Sequence, residues 1–429
     1  MRVNGQAKFN LHGQRLCSSK VLSFVFLLFI MFVFSCLVSM FSAVSPFVLG
    51  ASNTMVSNEA ELTAAVNNAP SGVSVVIVFD GDISLSETLV ISEGRNITLT
   101  STVTDQGGFY KLIGTKRAEI ESGFYPTISV QSGGVLRLDC IIVTHAKGVI
   151  GCGVMVHPNG TLALSDGEIS DNTGWGVYNC GLFEMMGGRI SGNTAGSGGG
   201  GGVHNEAGDF VMLGGVISGN RATSGHGGGV YNFRSVFSLF NGVISNNWAN
   251  SEGGGVYNWE SNVTMSGGEI SGNTAGSGGG GVSFRGDNLR VYTFELSGGT
   301  ISDNTAIGQG GGISNIQGAV TMSGGKISEN TVLRSGNFKG ASSYGGGVYN
   351  YLGTFKLVGG VISSNTASNG GNVYSEKSET YYFGVRTVVI IWCMRVVFVT
   401  LGVVVAVMLF MFKKRRRTQG TKKLSINNV

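Results

Sequence analysis

The residues whose types could do chemistry begin with acids near the start of a repetitive segment: Asp166, Glu168 and Asp171, with Asp139 and Glu184 to either side. Two carboxylates about 5–10 Å apart are what glycoside hydrolysis requires. Other repeats carry Ser, Gly or Val at these places, which makes the acids resemble ordinary outward side chains. A second set is aromatic. Tyr178, Tyr231, Tyr257 and Tyr349, with Trp259 beside them, are expected to face outward. There their flat apolar rings can hold sugar or protein, or simply stack on one another. His145, His157, His204 and His226 lack metal-ligand spacing, and His204 replaces a tyrosine at an expected surface position. No calcium repeat, zinc motif, nucleophile elbow or phosphate loop is present, so neither metal nor cofactor is expected.

The elements that must position these residues repeat. Ile-Ser-x-Asn occurs eight times, starting at 169, 190, 217, 244, 270, 301, 327 and 362, with spacings of 21 to 35 residues. A signature with a period of about 20–50 residues marks a repeat architecture. Gly-Gly-Val-Tyr-Asn or a variant also recurs, ending at Asn179, Asn205, Asn232, Asn258, Asn315 and Asn350. Between the two signatures lie alternating runs such as Phe183-Glu184-Met185, Phe210-Val211-Met212 and Phe355-Lys356-Leu357. Apolar residues at i and i+2 share one face of a strand. Each repeat therefore reads as one coil of an all-β solenoid, its short strands separated by Gly and Asn at the bends.

Stacked coils bring equivalent side chains into columns, and an amide can both donate and accept along such a column. One ladder is expected from Asn172, Asn193, Asn220, Asn247, Asn273, Asn304, Asn330 and Asn365. The Val-x-Asn series forms a second, interrupted where Phe284 and Ser375 stand in its place. With 72 Gly in 429 residues, each costing about 1 kcal/mol in a helix, helical alternatives fare badly.

The organisation follows from this. Residues 1–50 combine a basic start with a long apolar run, the layout of a secretory signal with a small-residue cleavage site before Ala51, or of a signal anchor. Residues 51–72 read as an N-terminal cap, with Asn58 and Glu61 at capping-box spacing. Irregular coils fill 73–160 and regular ones 161–375, followed by a linker at 376–387. Residues 388–412 are long and apolar enough for a transmembrane helix, and the basic tail 413–429 is then cytoplasmic by the positive-inside rule. The fold expected is a parallel β-helix with an N-terminal cap and an apolar helix at each end.

All 25 acids lie between Glu59 and Glu379, against 16 of the 29 Lys and Arg, so this part carries 16 − 25 = −9. That disfavours nucleic acid as a partner. Cys140, Cys152 and Cys180 are an odd set and supply no disulfide framework. Insertions at Arg285–Glu295 and Val332–Tyr344 account for the two longest spacings. In solenoids such insertions form loops on one face, often the binding face, though loops also tolerate length change freely. Three sequons start at Asn96, Asn159 and Asn262.

The repeats, the capped start and the Gly-Gly-x-Ile series resemble right-handed parallel β-helix proteins of the pectin-lyase-like superfamily. More narrowly they resemble adhesin-like surface proteins of archaea and some bacteria. The segment Ala60–Leu99, with Gly81-Asp82-Ile83 and Asn96-Ile97-Thr98-Leu99, is similar to the N-terminal coils of that group. The Gly-Gly-x-Ile series is also similar to chlamydial polymorphic outer-membrane proteins. This chain lacks their Phe-x-x-Asn motif and ends in one apolar run rather than a barrel of alternating strands. The resemblance implies a membrane-anchored extracellular protein in adhesion or envelope structure, binding glycan or protein. The alternative it implies is a surface-tethered polysaccharide lyase or hydrolase.

Overall fold

The computed structural model describes residues 53–382, apart from 105, 117–124, 197, 288–289, 335–341 and 378. The expected signal segment 1–50, membrane helix 388–412 and basic tail 413–429 lie outside the described residues. So do Phe338 and Lys339 of the second insertion. Among the described residues, no helix is long and apolar enough to cross a membrane.

The strands stack into four parallel sheets of 13, 11, 11 and 6 strands, in which each strand pairs with its equivalent from the next repeat. A coil enters through the Val-x-Asn sheet, as at Val230–Phe233, and passes into the 13-stranded sheet, as at Val236–Leu239. It then crosses the Ile-Ser sheet, as at Val243–Ser245, and the short Trp248–Ala249 strand of the smallest sheet. Register does not slip: Ile190 lies on Ile217, Ile217 on Ile244, and Ile244 on Ile270. This is a parallel β-helix, and its periodicity has a direct cause. A one-residue shift would turn every apolar side chain outward.

The core is therefore built of columns. Phe183, Phe210 and Phe237 are buried and stacked, with ring centroids 4.7 and 4.9 Å apart. Val203, Val230 and Val256 form a second column, and the Ile-Ser isoleucines a third. Fully burying such side chains contributes about 1.5–3 kcal/mol each.

The bends explain the x of Ile-Ser-x-Asn. In all eight coils this residue has positive φ: Asp171, Gly192, Gly219, Asn246, Gly272, Asp303, Glu329 and Ser364. The left-handed residue thus precedes the ladder asparagine instead of being it. A second left-handed bend lies two residues after Val-x-Asn, at Ala207, Arg234, Glu260, Gln317 and Leu352. Helix α1 (Glu59–Asn68) lies against Thr54–Val56 and Ile83–Leu85 and buries Leu62 and Val66. The Asn58 side chain accepts from the Glu61 amide at 3.0 Å, and the Glu61 carboxylate accepts from the Ser57 amide at 2.8 Å.

Candidate functional site

The ladder asparagines are buried and joined. Asn172 Nδ2 donates to Asn193 Oδ1 at 2.8 Å, Asn193 to Asn220 at 2.9 Å, and Asn220 to Asn247 at 3.0 Å. The series runs on through Asn273, Asn304 and Asn330 to Asn365. From Asn193 on, each carboxamide oxygen also accepts the backbone N–H of the asparagine one coil earlier, as Asn220 Oδ1 does from Asn193 at 3.1 Å. Each Nδ2 also reaches a backbone carbonyl, as Asn220 reaches Ile190 at 2.9 Å. Two partners outside the signature extend the column. His145 Nδ1 lies 3.3 Å from Asn172 Oδ1, and Asn372 Oδ1 accepts from Asn365 Nδ2 at 3.1 Å. Periodicity could not have found either, because neither sits in an Ile-Ser-x-Asn unit.

Of the acids, Asp139 and Asp166 come together at the Cys140 thiol, while Glu168, Asp171 and Glu184 make separate contacts. Asp171 occupies a left-handed bend where three of the eight coils carry Gly, and it is exposed. Glu168 accepts from the Ser191 hydroxyl, and Asp166 Oδ1 accepts from the Gly167 amide at 2.7 Å. The Cys140 thiol lies 3.7 Å from Asp139 Oδ1 and 3.9 Å from Asp166 Oδ2. Its pKa is pushed up by burial first and by the two carboxylates second. Glu184 is on the outer side of the 13-stranded sheet, between Ala163 and Val211. Among the described residues, no group of three or more His, Cys, Asp or Glu is arranged to hold a metal ion.

The expected aromatic face needs correcting. Tyr231, Tyr257 and Tyr349 are only 9, 5 and 6% exposed and Tyr178 is half-buried, so of the five residues only Trp259, at 39%, offers an exposed ring. The tyrosines do leave the sheet on its outer side, but neighbouring loops cover them. Trp175 packs 4.9 Å from Tyr178, His226 packs 4.3 Å from Tyr257, and Gly199 approaches Tyr231. His204, expected at the surface, is buried as well, stacked between Tyr178 and Tyr231 at 4.9 and 4.7 Å. Burial raises the Tyr257 pKa and pushes that of Tyr349 up to about 12.

At the bends that follow the Val-x-Asn strands the outer surface opens into a groove of about 690 Å³. Three successive bends form its floor: Ala207–Asp209, Arg234–Val236 and Glu260–Asn262. Asp287, Arg290 and Tyr292 of the first insertion complete the lining. Arg234 and Glu260 occupy left-handed bend positions, and Arg234 Nε donates to Glu260 Oε2 at 2.7 Å. That bond and charge hold the guanidinium pKa above its usual value. The same guanidinium lies over the Phe233 ring at 4.7 Å, and Phe233 lies 4.7 Å from Trp259. The insertion is tied down where Asn262 Oδ1 accepts from the Thr293 amide at 3.0 Å. Of these residues, sequence reasoning had singled out Trp259 and the insertion. Arg234 and Glu260 were missed, since a charged residue in a turn carries no periodic signal.

Next to the groove, Arg285 Nε and Ser283 Oγ donate to buried Glu252 at 2.7 and 3.0 Å. Ser283 stands where other coils have a tyrosine ring, and the ion pair takes up that space. The chain matches no family model, no curated protein and no solved structure.

Proposed function

We propose that the chain is a membrane-anchored surface protein whose β-helix stands outside the cell and acts in adhesion or envelope structure by binding glycan or protein. One observation carries the binding part. The first insertion and the Arg234–Glu260 pair line one open groove, and exposed Trp259 directly precedes Glu260 in the chain. The apolar runs at both ends and the basic tail support anchoring, and the acidic balance of the intervening part supports a partner other than nucleic acid.

Cells producing the full chain provide the test. Protease added outside intact cells is expected to remove the coils and spare a tail epitope at 413–429. The same cells should adhere to glycan- or protein-coated surfaces better than cells without the chain. Full protection from external protease would end the surface reading. Release of reducing ends or unsaturated uronate from polysaccharide would replace binding with catalysis.

A further inference from the structure

The groove discriminates between kinds of glycan, and the argument for this rests on the binding reading above. Its charged lining is Asp209, Glu260 and Asp287 against Arg234 and Arg290, a balance of 2 − 3 = −1. One of the two cations, Arg234, is already bonded to Glu260 at 2.7 Å. An anionic polymer would therefore bring its charges toward carboxylates with little free cation to meet them. Hydroxyl groups suit the same lining, because carboxylate oxygens accept from them and a guanidinium donates to them. A ring adjoining the groove-lining Glu260 in the chain supplies the other half of a sugar site. Trp259 presents an exposed face, backed by Phe233 at 4.7 Å, and a flat ring of this kind packs against the C–H face of a pyranose.

We propose that this groove binds a neutral, hydroxyl-rich glycan chain, with one ring seated on Trp259 and the hydroxyls of its neighbours meeting Glu260, Arg234 and Asp209. The spacing fits a linear chain. Asp209, Arg234 and Glu260 come from three successive coils, and coils repeat every ~4.8 Å, close to the length of one sugar unit.

The full chain in detergent, applied to an array of neutral glucans, mannans and galactans beside polyuronates and sulfated glycans, is expected to retain neutral members. Calorimetric titration with the best neutral oligosaccharide then compares variants. Trp259→Ala and Glu260→Gln should each weaken binding about tenfold or more. Trp259→Phe should keep most of the affinity. Phe240→Ser, which removes another exposed ring outside the groove, should change nothing, and unchanged thermal melting should accompany every variant. Preference for the acidic glycans would overturn the proposal, as would neutral-glycan binding that survives Trp259→Ala. Binding to no glycan, with adhesion of producing cells intact, would overturn it and leave the surface reading standing. Loss of adhesion as well would remove both.

Discussion

Two columns of asparagine run through the same solenoid, and they differ in how they end. The column of Asn172 to Asn365 passes through eight coils without a gap. The Val-x-Asn column runs from Asn179 to Asn258, stops at Phe284, and resumes from Asn315 to Asn350. The cause lies in what each amide holds. In the first column every amide from Asn193 on accepts the backbone N–H of the asparagine one coil earlier and donates Nδ2 to a carbonyl of that coil. In the second, Nδ2 closes its own turn, as Asn258 does on Ser261 at 2.8 Å, and in Asn179, Asn205 and Asn315 it also reaches a carbonyl of the next coil. The turn-closing part of this bonding can be rebuilt within one coil, whereas the first column's two backbone bonds per amide join coils at every step from Asn193 on. At Phe284 it is rebuilt: Gly286 does not adopt the left-handed conformation of Arg234, Glu260 and Gln317, and the insertion that lines the groove begins there. The breakable column is where the fold admits novelty.

The break has a cost that can be measured. Asn315 Oδ1 is buried with no partner, because Phe284 offers no amide where Asn258 would in an unbroken column. The Phe284 ring compensates by joining the core 6.0 Å from Phe294. Phe284→Ala should cost about 3–5 kcal/mol in denaturant unfolding. Phe284→Asn should cost less than Phe284→Ala, despite being polar, because it supplies the missing donor to Asn315. Equal or greater loss for the asparagine variant would show that the gap is not an interrupted ladder.

Truncation in the two columns should differ next. Asn220→Ala leaves the Asn193 backbone N–H without its acceptor and frees the Ile190 carbonyl. One buried orphan and the lost bonds put the cost at about 2–3 kcal/mol. Asn232→Ala is milder, at about 1 kcal/mol, since Asn205 Nδ2 keeps its bond to the Gly208 carbonyl at 3.2 Å. Matching losses in chemical denaturation would erase the distinction drawn between the columns.

Much of this architecture was legible in the sequence, for a physical reason. A parallel stack places identical residues on one another, so a repeated Ile or Phe announces its own neighbour. Whatever depends on unlike neighbours was hidden. The burial of Tyr231 and Tyr257 comes from loops that fold over them, and neither His226 nor Gly199 shares their period. The bends expected at Gly and Asn fall on the x before the ladder asparagine, which is Gly or Asn in only four of the eight coils. The groove was least legible, since it joins bends of three coils to an insertion.

The smallest expected effect concerns the ring column on the outer side of the same Val-x-Asn strands. His204 takes a tyrosine's place there. Burial holds its pKa below the usual 6.5, opposed by the Gly199 carbonyl and the Glu206 carboxylate. Such a group binds its proton more readily in the unfolded chain. Its stabilisation is complete above the unfolded pKa and is lost as the pH falls below it, until the folded pKa is passed. His145 and His226, also lowered first by burial, act with the same sign. His204→Tyr should therefore make the fall in Tm between about pH 7 and pH 5 shallower without abolishing it. At neutral pH it should alter stability by no more than about 1 kcal/mol, the worth of one ring pair. An unchanged slope would mean that His204 keeps the same affinity for its proton folded and unfolded, and that the outer column, like the inner one, is electrostatically silent.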